Sequence, residues 1–301
     1  MSYGFEDGKF YLDYTPCYRS VGTPREEFNN RAIAISKNHD NLILSFSGGT
    51  DSQVTYRAFH DSNIPVTCAF MHMPGYNDNE YKNTKEQLAK YNFDLIVITI
   101  DPIAEKDNIL GLSNELGIPP NQILHSLFLS KLPTDCLFIE AFNGPDLYVK
   151  DKKFYLFETA NSVEYARLRA YDQLNPNHNV IGFEKEEHIL LSVLKDDTLH
   201  AAMCAWDYYN IPGLSYLGEE PLSVINYWDL FIKPLFFGKH WKQDIDYYPK
   251  FQGCENIDYI INGMEHRYRE NQIFINVNNL IEVLENKGVT VRYYERQKAS
   301  Q

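Results

Sequence analysis

Between Asn41 and Phe142, strand-length apolar runs alternate with stretches of helical periodicity. Few folds other than a parallel sheet covered by helices can absorb that alternation. Asn41 to Phe46, Val66 to Met71, Asp94 to Ile100 and Cys136 to Phe142 read as buried strands, the third rich in β-branched residues. Asp51 to Phe59, stopped by Asn63-Ile64-Pro65, reads as a helix, as do Asn79 to Tyr91, Asn108 to Leu116 and Asn121 to Lys131. The expected class is therefore α/β with a parallel sheet.

The flanks follow other patterns. Phe5 to Tyr14 suggests two short extended pieces about an Asp7-Gly8 turn, and Thr23-Pro24-Arg25-Glu26-Glu27 is a capped helix start. Beyond Ser162 the periodicity is largely helical: Val163 to Leu174, Lys185 to Lys195, Thr198 to Tyr209 and Pro221 to Phe231, with Pro234 as a break. The tail predicts a helix near Asn256 to Arg269, a strand Gln272 to Val277, a helix Asn279 to Asn286 and a strand Val289 to Tyr294. The expected division is a lead-in over 1–38, a principal domain over 39–180 and a mainly helical substrate or capping region over 181–301. Neither an internal repeat nor a low-complexity tract interrupts it.

Composition removes several functional classes. A chain of 301 residues, 44% hydrophobic and 23% charged, can bury one large core, or a medium core with an appended part. Its longest apolar runs, such as Leu95-Ile96-Val97-Ile98, fall far short of the ~20 residues that cross a bilayer. The start Met1-Ser2-Tyr3-Gly4-Phe5-Glu6-Asp7 lacks the basic and apolar parts of a secretory signal, so the cytoplasm is the expected compartment. Cys17, Cys68, Cys136, Cys204 and Cys254 include no close pair, which argues against a disulfide framework or a zinc knuckle. His72, His178, His188, His200 and His240 show no two-ligand spacing and read as structural or surface residues. A formal charge of −13 disfavours a nucleic-acid partner without excluding a local basic patch, and favours a small-molecule substrate. The oligomeric state is unspecified by any of these features.

The most informative segment is Ser45-Phe46-Ser47-Gly48-Gly49-Thr50-Asp51-Ser52, at the end of the first strand and the opening of a helix. Free N–H groups and the helix dipole attract anions there. Gly48 and Gly49 let the backbone approach a phosphate closely, Ser45, Ser47 and Ser52 offer hydroxyl donors, and Thr50 completes the turn. A Walker A loop needs a Lys directly after its second Gly, where this chain has Thr50 and Asp51. A carboxylate beside phosphates requires a divalent cation between them, so Asp51 reads as a ligand of Mg²⁺ that holds the pyrophosphate portion of ATP. The alternative is a plain strand-to-helix turn, which the preceding strand and the following helix and strand make less favoured.

The segment resembles the S-G-G-x-D-S loop of the PP-loop ATP pyrophosphatases, a family including asparagine synthetase, GMP synthetase, tRNA thiolation enzymes and phosphoadenylylsulfate reductase. Every fixed position matches, and a looser similarity runs from about Ile43 to Asp146. The resemblance implies an adenine nucleotide alpha-hydrolase-like (HUP) domain that cleaves ATP to AMP and pyrophosphate. It also implies that Phe70 and Met71, ending the second strand, lie against adenine, with backbone groups reading its edge; alone they read as ordinary core. The layout looks closest to the synthetase domain of asparagine and β-lactam synthetases, where a G-x-D segment supplies a second Mg²⁺ ligand. Gly144 and Asp146 match that segment, while Ala141, Phe142, Asn143 and Leu147 depart from it. Read by itself, Gly144-Pro145-Asp146 is equally a turn after a buried strand.

Among the chemistries of such enzymes, the sequence favours adenylation of a small acceptor, with Asp51 and a source of positive charge as the catalytic groups. Lys239 and Lys242, flanked by Lys233 and Lys250, are candidates for that charge, each reading equally as a solvated surface lysine. Glu158, Glu164 and Tyr165 could act as acid–base groups, although carboxylates at a helix start usually cap it. The aromatics Trp206, Tyr208, Tyr209, Trp228, Trp241, Tyr247 and Tyr248 read more naturally as packing than as a substrate pocket. No N-terminal Cys nucleophile precedes the loop, so ammonia drawn from glutamine would come from a separate protein, as would sulfur in a thiolating reaction. Two alternatives remain: a sulfonucleotide-reducing or sulfur-transferring enzyme using Cys254, and a partner protein that binds ATP without cleaving it.

Overall fold

The computed structural model describes residues 19–141 and 163–184, with the shorter stretches 2–6, 9–13, 146–150, 153–157, 186, 188–189, 192–193, 224–225, 233–237, 257 and 292–294. Strands β1 (Ser2–Glu6) and β2 (Lys9–Asp13) pair antiparallel, with Glu6 opposite Lys9, as a turn at Asp7-Gly8 predicts. Helix α1 (Pro24–Ser36) starts with a capping box. Thr23 accepts from the Glu26 N–H, the Glu26 carboxylate accepts from the Thr23 N–H at 2.7 Å, and Pro24 fills the first turn, where no N–H is needed.

The principal sheet follows. Its elements are β3 (Leu42–Ser45), α2 (Thr50–Asp61), β4 (Thr67–His72), α3 (Asp78–Tyr91), β5 (Leu95–Thr99), α4 (Lys106–Leu116), α5 (Pro120–Leu129) and β6 (Leu137–Glu140). A hairpin of β7 (Asp146–Lys150) and β8 (Lys153–Phe157) is inserted before α6 (Val163–Leu174) and β9 (Asn179–Gly182). The five strands β5-β4-β3-β6-β9 are all parallel, with the earliest of them at the centre. This is the α/β class expected from the alternation. Its last strand, absent from the sequence reading, runs past residue 180.

Strand order fixes where the helices go. The chain moves outward from β3 to β5 on one side and from β6 to β9 on the other, so right-handed crossovers put α2 and α3 on one face and α6 on the opposite one. Packing agrees: α1 lies on α2, whereas α5 contacts both α4 and α6. Between α1, α2 and the end of β9, Phe183 sits 5.8 Å from Phe28 and 5.4 Å from Phe59, ring centre to ring centre. Each of these fully buried rings contributes about 1.5–3 kcal/mol. Asn92 and Gly117, both left-handed, end α3 and α4, and left-handed Asn63 follows α2.

The remaining described pieces are β10 (Val224–Ile225), α7 (Lys233–Phe237) and β11 (Arg292–Tyr294). With the inserted hairpin, β10 and β11 form an antiparallel sheet ordered β10-β7-β8-β11. Val224 and Ile225, within a stretch expected to be helical, pair instead with Tyr148 and Leu147. Their β-branched character suits an edge strand wherever a partner edge is available. Pro234 lies in the first turn of the short α7. β11 falls within the strand expected over Val289 to Tyr294. The helices expected over 198–209 and 279–286, the strand over 272–277 and nearly all of the helix over 256–269 lie outside the described residues. Among the described residues no helix is long and apolar enough to cross a membrane.

Candidate nucleotide site

The centre of the sheet decides where a ligand can sit. Strands β3 and β6 are neighbours whose onward connections run in opposite directions, and such a switch point leaves a crevice beyond the carboxyl ends of the two strands. The loop from Phe46 to Gly49 rises from β3 into that crevice and leads directly into α2. Leu44 is level with Ile139, so the end of β6 at Glu140 lies beside the start of this loop.

Loop conformation follows from its glycines. Gly48 is buried with φ +72°, and a Cβ there would lie 2.6 Å from Thr84 Oγ1 and 3.2 Å from the Glu80 carbonyl oxygen. Only glycine fits without strain. Gly49 is the N-cap of α2 and has no side chain with which to satisfy the first-turn N–H groups, so the amide end of this helix faces the crevice uncapped. Asp51 stands in that first turn, partly exposed. Ser52 is buried and turns its hydroxyl back to the Gly49 carbonyl at 3.0 Å, with Ser47 Oγ 3.4 Å away. Ser47 is exposed and accepts a long 3.3 Å bond from the Gly49 N–H. Ser45 is held by the sheet opposite Ala69, and Thr50 begins α2, partly exposed.

Several residues that pattern reading did not single out hold this loop. The Gly48 carbonyl accepts from Gln53 Nε2 at 2.9 Å and from Asn83 Nδ2 at 2.7 Å. Thr84 is fully buried against Gly48. Gln53 had a local signal, a long polar side chain on the buried side of α2; Asn83 lies thirty-five residues beyond Gly48 and had none.

At the end of β4, Phe70 is buried with its ring 5.4 Å from that of Tyr81, while Met71 is partly exposed and its carbonyl accepts from Asn77 Nδ2 at 2.8 Å. His72, also on this strand, bonds Asp78 at 2.8 Å and lies 4.4 Å from the Tyr81 ring. Asp146 opens strand β7, so the metal candidate is the first residue of a hairpin. Gly144, Lys239, Lys242 and Cys254 lie outside the described residues. Cys68 and Cys136 are buried, and burial pushes both thiols up, most strongly Cys68; neither is poised as a thiolate. Among the described residues no group of three or more His, Cys, Asp or Glu could hold a metal ion unaided.

No protein-family model and no curated protein matches the sequence. Solved structures are similar at low identity. A predicted tRNA methyltransferase subunit from Methanocaldococcus jannaschii is 15% identical, with 55% of this chain and 75% of that one covered and a TM-score of 0.33. An NMN synthetase from Francisella tularensis is 11% identical over 81% of this chain and 95% of that one, with a TM-score of 0.35. An NH3-dependent NAD synthetase from Campylobacter jejuni is 14% identical over 88% and 91%, also with a TM-score of 0.35. The resemblance to PP-loop ATP pyrophosphatases stands on two features of the chain itself, a complete S-G-G-x-D-S loop and its seat at the switch point of the parallel sheet.

Proposed function

We propose that this chain is a PP-loop ATP-using enzyme that splits ATP between its α and β phosphates and transfers AMP to a small-molecule acceptor. The carrying observation is the uncapped amide end of α2 behind a left-handed glycine, with a carboxylate in the first helical turn, at the centre of the sheet. The main-chain N–H groups of the loop and the hydroxyls of Ser47 and Thr50 would receive the pyrophosphate oxygens. Phe70 and Met71 would border the adenine, and Gly144, by its match to the G-x-D segment of the family, would contribute to nucleotide binding. An acceptor oxygen attacks the α-phosphorus, the bond to the bridging oxygen breaks, and pyrophosphate departs with that electron pair.

Mg²⁺ is commonly held by one or two carboxylates together with substrate phosphates, and a first-turn carboxylate beside a phosphate loop suits it. Asp51 would hold it, with Asp146 as a second ligand, and bound Mg²⁺ would neutralise charge on the leaving pyrophosphate. Lys239 and Lys242 are assigned to the same leaving group. The acidic charge of the chain, −13, supports a small acceptor over a nucleic acid. Ammonia or sulfur, where the second step uses one, would come from a separate donor protein.

The test is incubation with α-labelled ATP, Mg²⁺ and a metabolite pool, reading AMP, ADP and pyrophosphate for wild type and Asp51→Ala. AMP and pyrophosphate should form together, and the variant should lose about a hundredfold or more in rate. ADP that persists in the variant would refute the proposal.

A further inference from the structure

The Gly48 carbonyl has two lone pairs, and both are occupied by side-chain amides from different helices: Gln53 Nε2 of α2 at 2.9 Å and Asn83 Nδ2 of α3 at 2.7 Å. Gln53 is buried, Asn83 is partly so, and the fully buried Thr84 stands where a Gly48 side chain would have been. No peptide bond among the described residues is cis. In a trans peptide the C=O and the following N–H point in opposite directions. Fixing the Gly48 carbonyl inward therefore fixes the Gly49 N–H outward. The contacts agree, because that N–H points at the exposed Ser47 hydroxyl, 3.3 Å away, and nothing else crowds Gly49.

Resting on the ATP reading above, we infer that Gln53 and Asn83 are positioning residues that lock the Gly48–Gly49 peptide so that its N–H is presented to a phosphate oxygen. A glycine pair left to itself reorients freely and would lose that freedom each time a ligand binds. Two amides anchored on separate helices remove it beforehand, which is the preorganisation an anion site needs. Asn83 also ties the loop to the second crossover, so the donor's aim depends on how α3 packs on the sheet.

Calorimetric titration of the full chain with Mg²⁺–ATP, inorganic pyrophosphate and adenosine tests this, using wild type, Asn83→Leu, Asn83→Gln and Gln53→Met. Asn83→Leu should bind ATP and pyrophosphate about tenfold more weakly with adenosine unchanged, the size of one hydrogen bond to a charged group. Asn83→Gln, which keeps a donor, should recover part of the loss. Gln53→Met, altering the other half of the clamp, should reproduce the selective loss even if Asn83→Leu fails to fold. With glycine ¹⁵N labelling, pyrophosphate should shift the Gly49 amide in wild type and much less in the variants. A wild type that binds ATP while the variants match it, or lose adenosine equally, overturns this assignment alone. A wild type that binds neither ATP nor pyrophosphate overturns the ATP reading and the clamp with it.

Discussion

Strands β3 and β6 lie side by side in the sheet and end at the same level, yet their ends are built in opposite ways. The β3 end leads into glycines, its carbonyl is held by neutral amides, and its next helix begins without a side-chain cap. The β6 end carries Glu140, almost fully buried, whose carboxylate accepts from the Tyr171 hydroxyl and pairs with Arg167 at 3.3 Å. Arg167 in turn donates to Gln122 at 2.9 Å and approaches His125 Nε2 at 3.2 Å. Burial, and then the Arg167 charge, push His125 well below its ordinary value, so a neutral ring nitrogen can accept that bond. One strand end offers unspent backbone polarity to the crevice; the other consumes its charge internally. Neighbouring positions in a parallel sheet thus divide into a binding end and a structural end according to whether their polar groups find partners within the protein.

The contrast can be broken most forcefully at the structural end. Arg167→Ala would leave Glu140 buried without its cation and should cost about 3–5 kcal/mol in urea unfolding. If stability is unchanged, that end is not internally satisfied and the distinction fails. Gly48→Ala comes next: a left-handed alanine with its Cβ 2.6 Å from Thr84 Oγ1 should cost about 2–3 kcal/mol and abolish ATP binding. Retained binding would mean that the loop is not the ligand end.

Thr23→Ala, remote from both ends, sharpens the comparison as a control. It removes the N-cap of α1 and should cost about 1 kcal/mol with ATP affinity unchanged. The smallest effect concerns pH. Burial alone would raise the Glu27 carboxyl, but the Arg19 guanidinium and the Gly22 N–H outweigh it and hold the group below the ordinary carboxylate range. A carboxyl depressed in the folded state stabilises above its unfolded value, and the contribution disappears as pH falls through the folded value. Melting temperature should therefore decline in wild type as pH falls below the ordinary carboxylate range. In Arg19→Ala, where only the Gly22 N–H and Asn30 still offset burial, the folded carboxyl rises toward its unfolded value and this acid decline should shrink; coincident profiles would show that the pair contributes nothing.

What could be read in advance was local. The alternation from Asn41 onward, the capping box at Thr23 and the glycine loop are all written in adjacent residues, and each element stands where its pattern puts it. The hairpin leaves a weaker trace: Leu147 and Val149 alternate with more polar neighbours and Phe154 to Phe157 is strand-like, but each arm is only five residues long, too short for a period of two to stand out beside the Gly144-Pro145-Asp146 turn signal. Asn179 to Gly182 is too short, and too ordinary in composition, to announce a strand without its neighbour β6. Asn83 is one polar residue in an amphipathic helix, and its role arises only when the β3–α2–β4–α3 crossover brings it to Gly48. Long-range hydrogen bonds carry no local signature, and the support of the loop consists largely of them.

The inserted hairpin carries a consequence for biosynthesis. Every strand of the parallel sheet has been made once Gly182 leaves the ribosome, whereas β11 pairs Tyr293 with Tyr155 and so waits for the much later segment Arg292–Tyr294. Contacts of such long sequence separation form late, because the intervening chain loses much of its freedom before they are gained. Nascent chains should therefore acquire the phosphate loop in its folded setting well before β7 and β8 gain their outer partners. In the interval both hairpin edges are open to strand pairing with other molecules. A translation pause or truncation between these two points would yield a species with an intact loop and an unsealed β-edge, in which aggregation competes with completion of the fold.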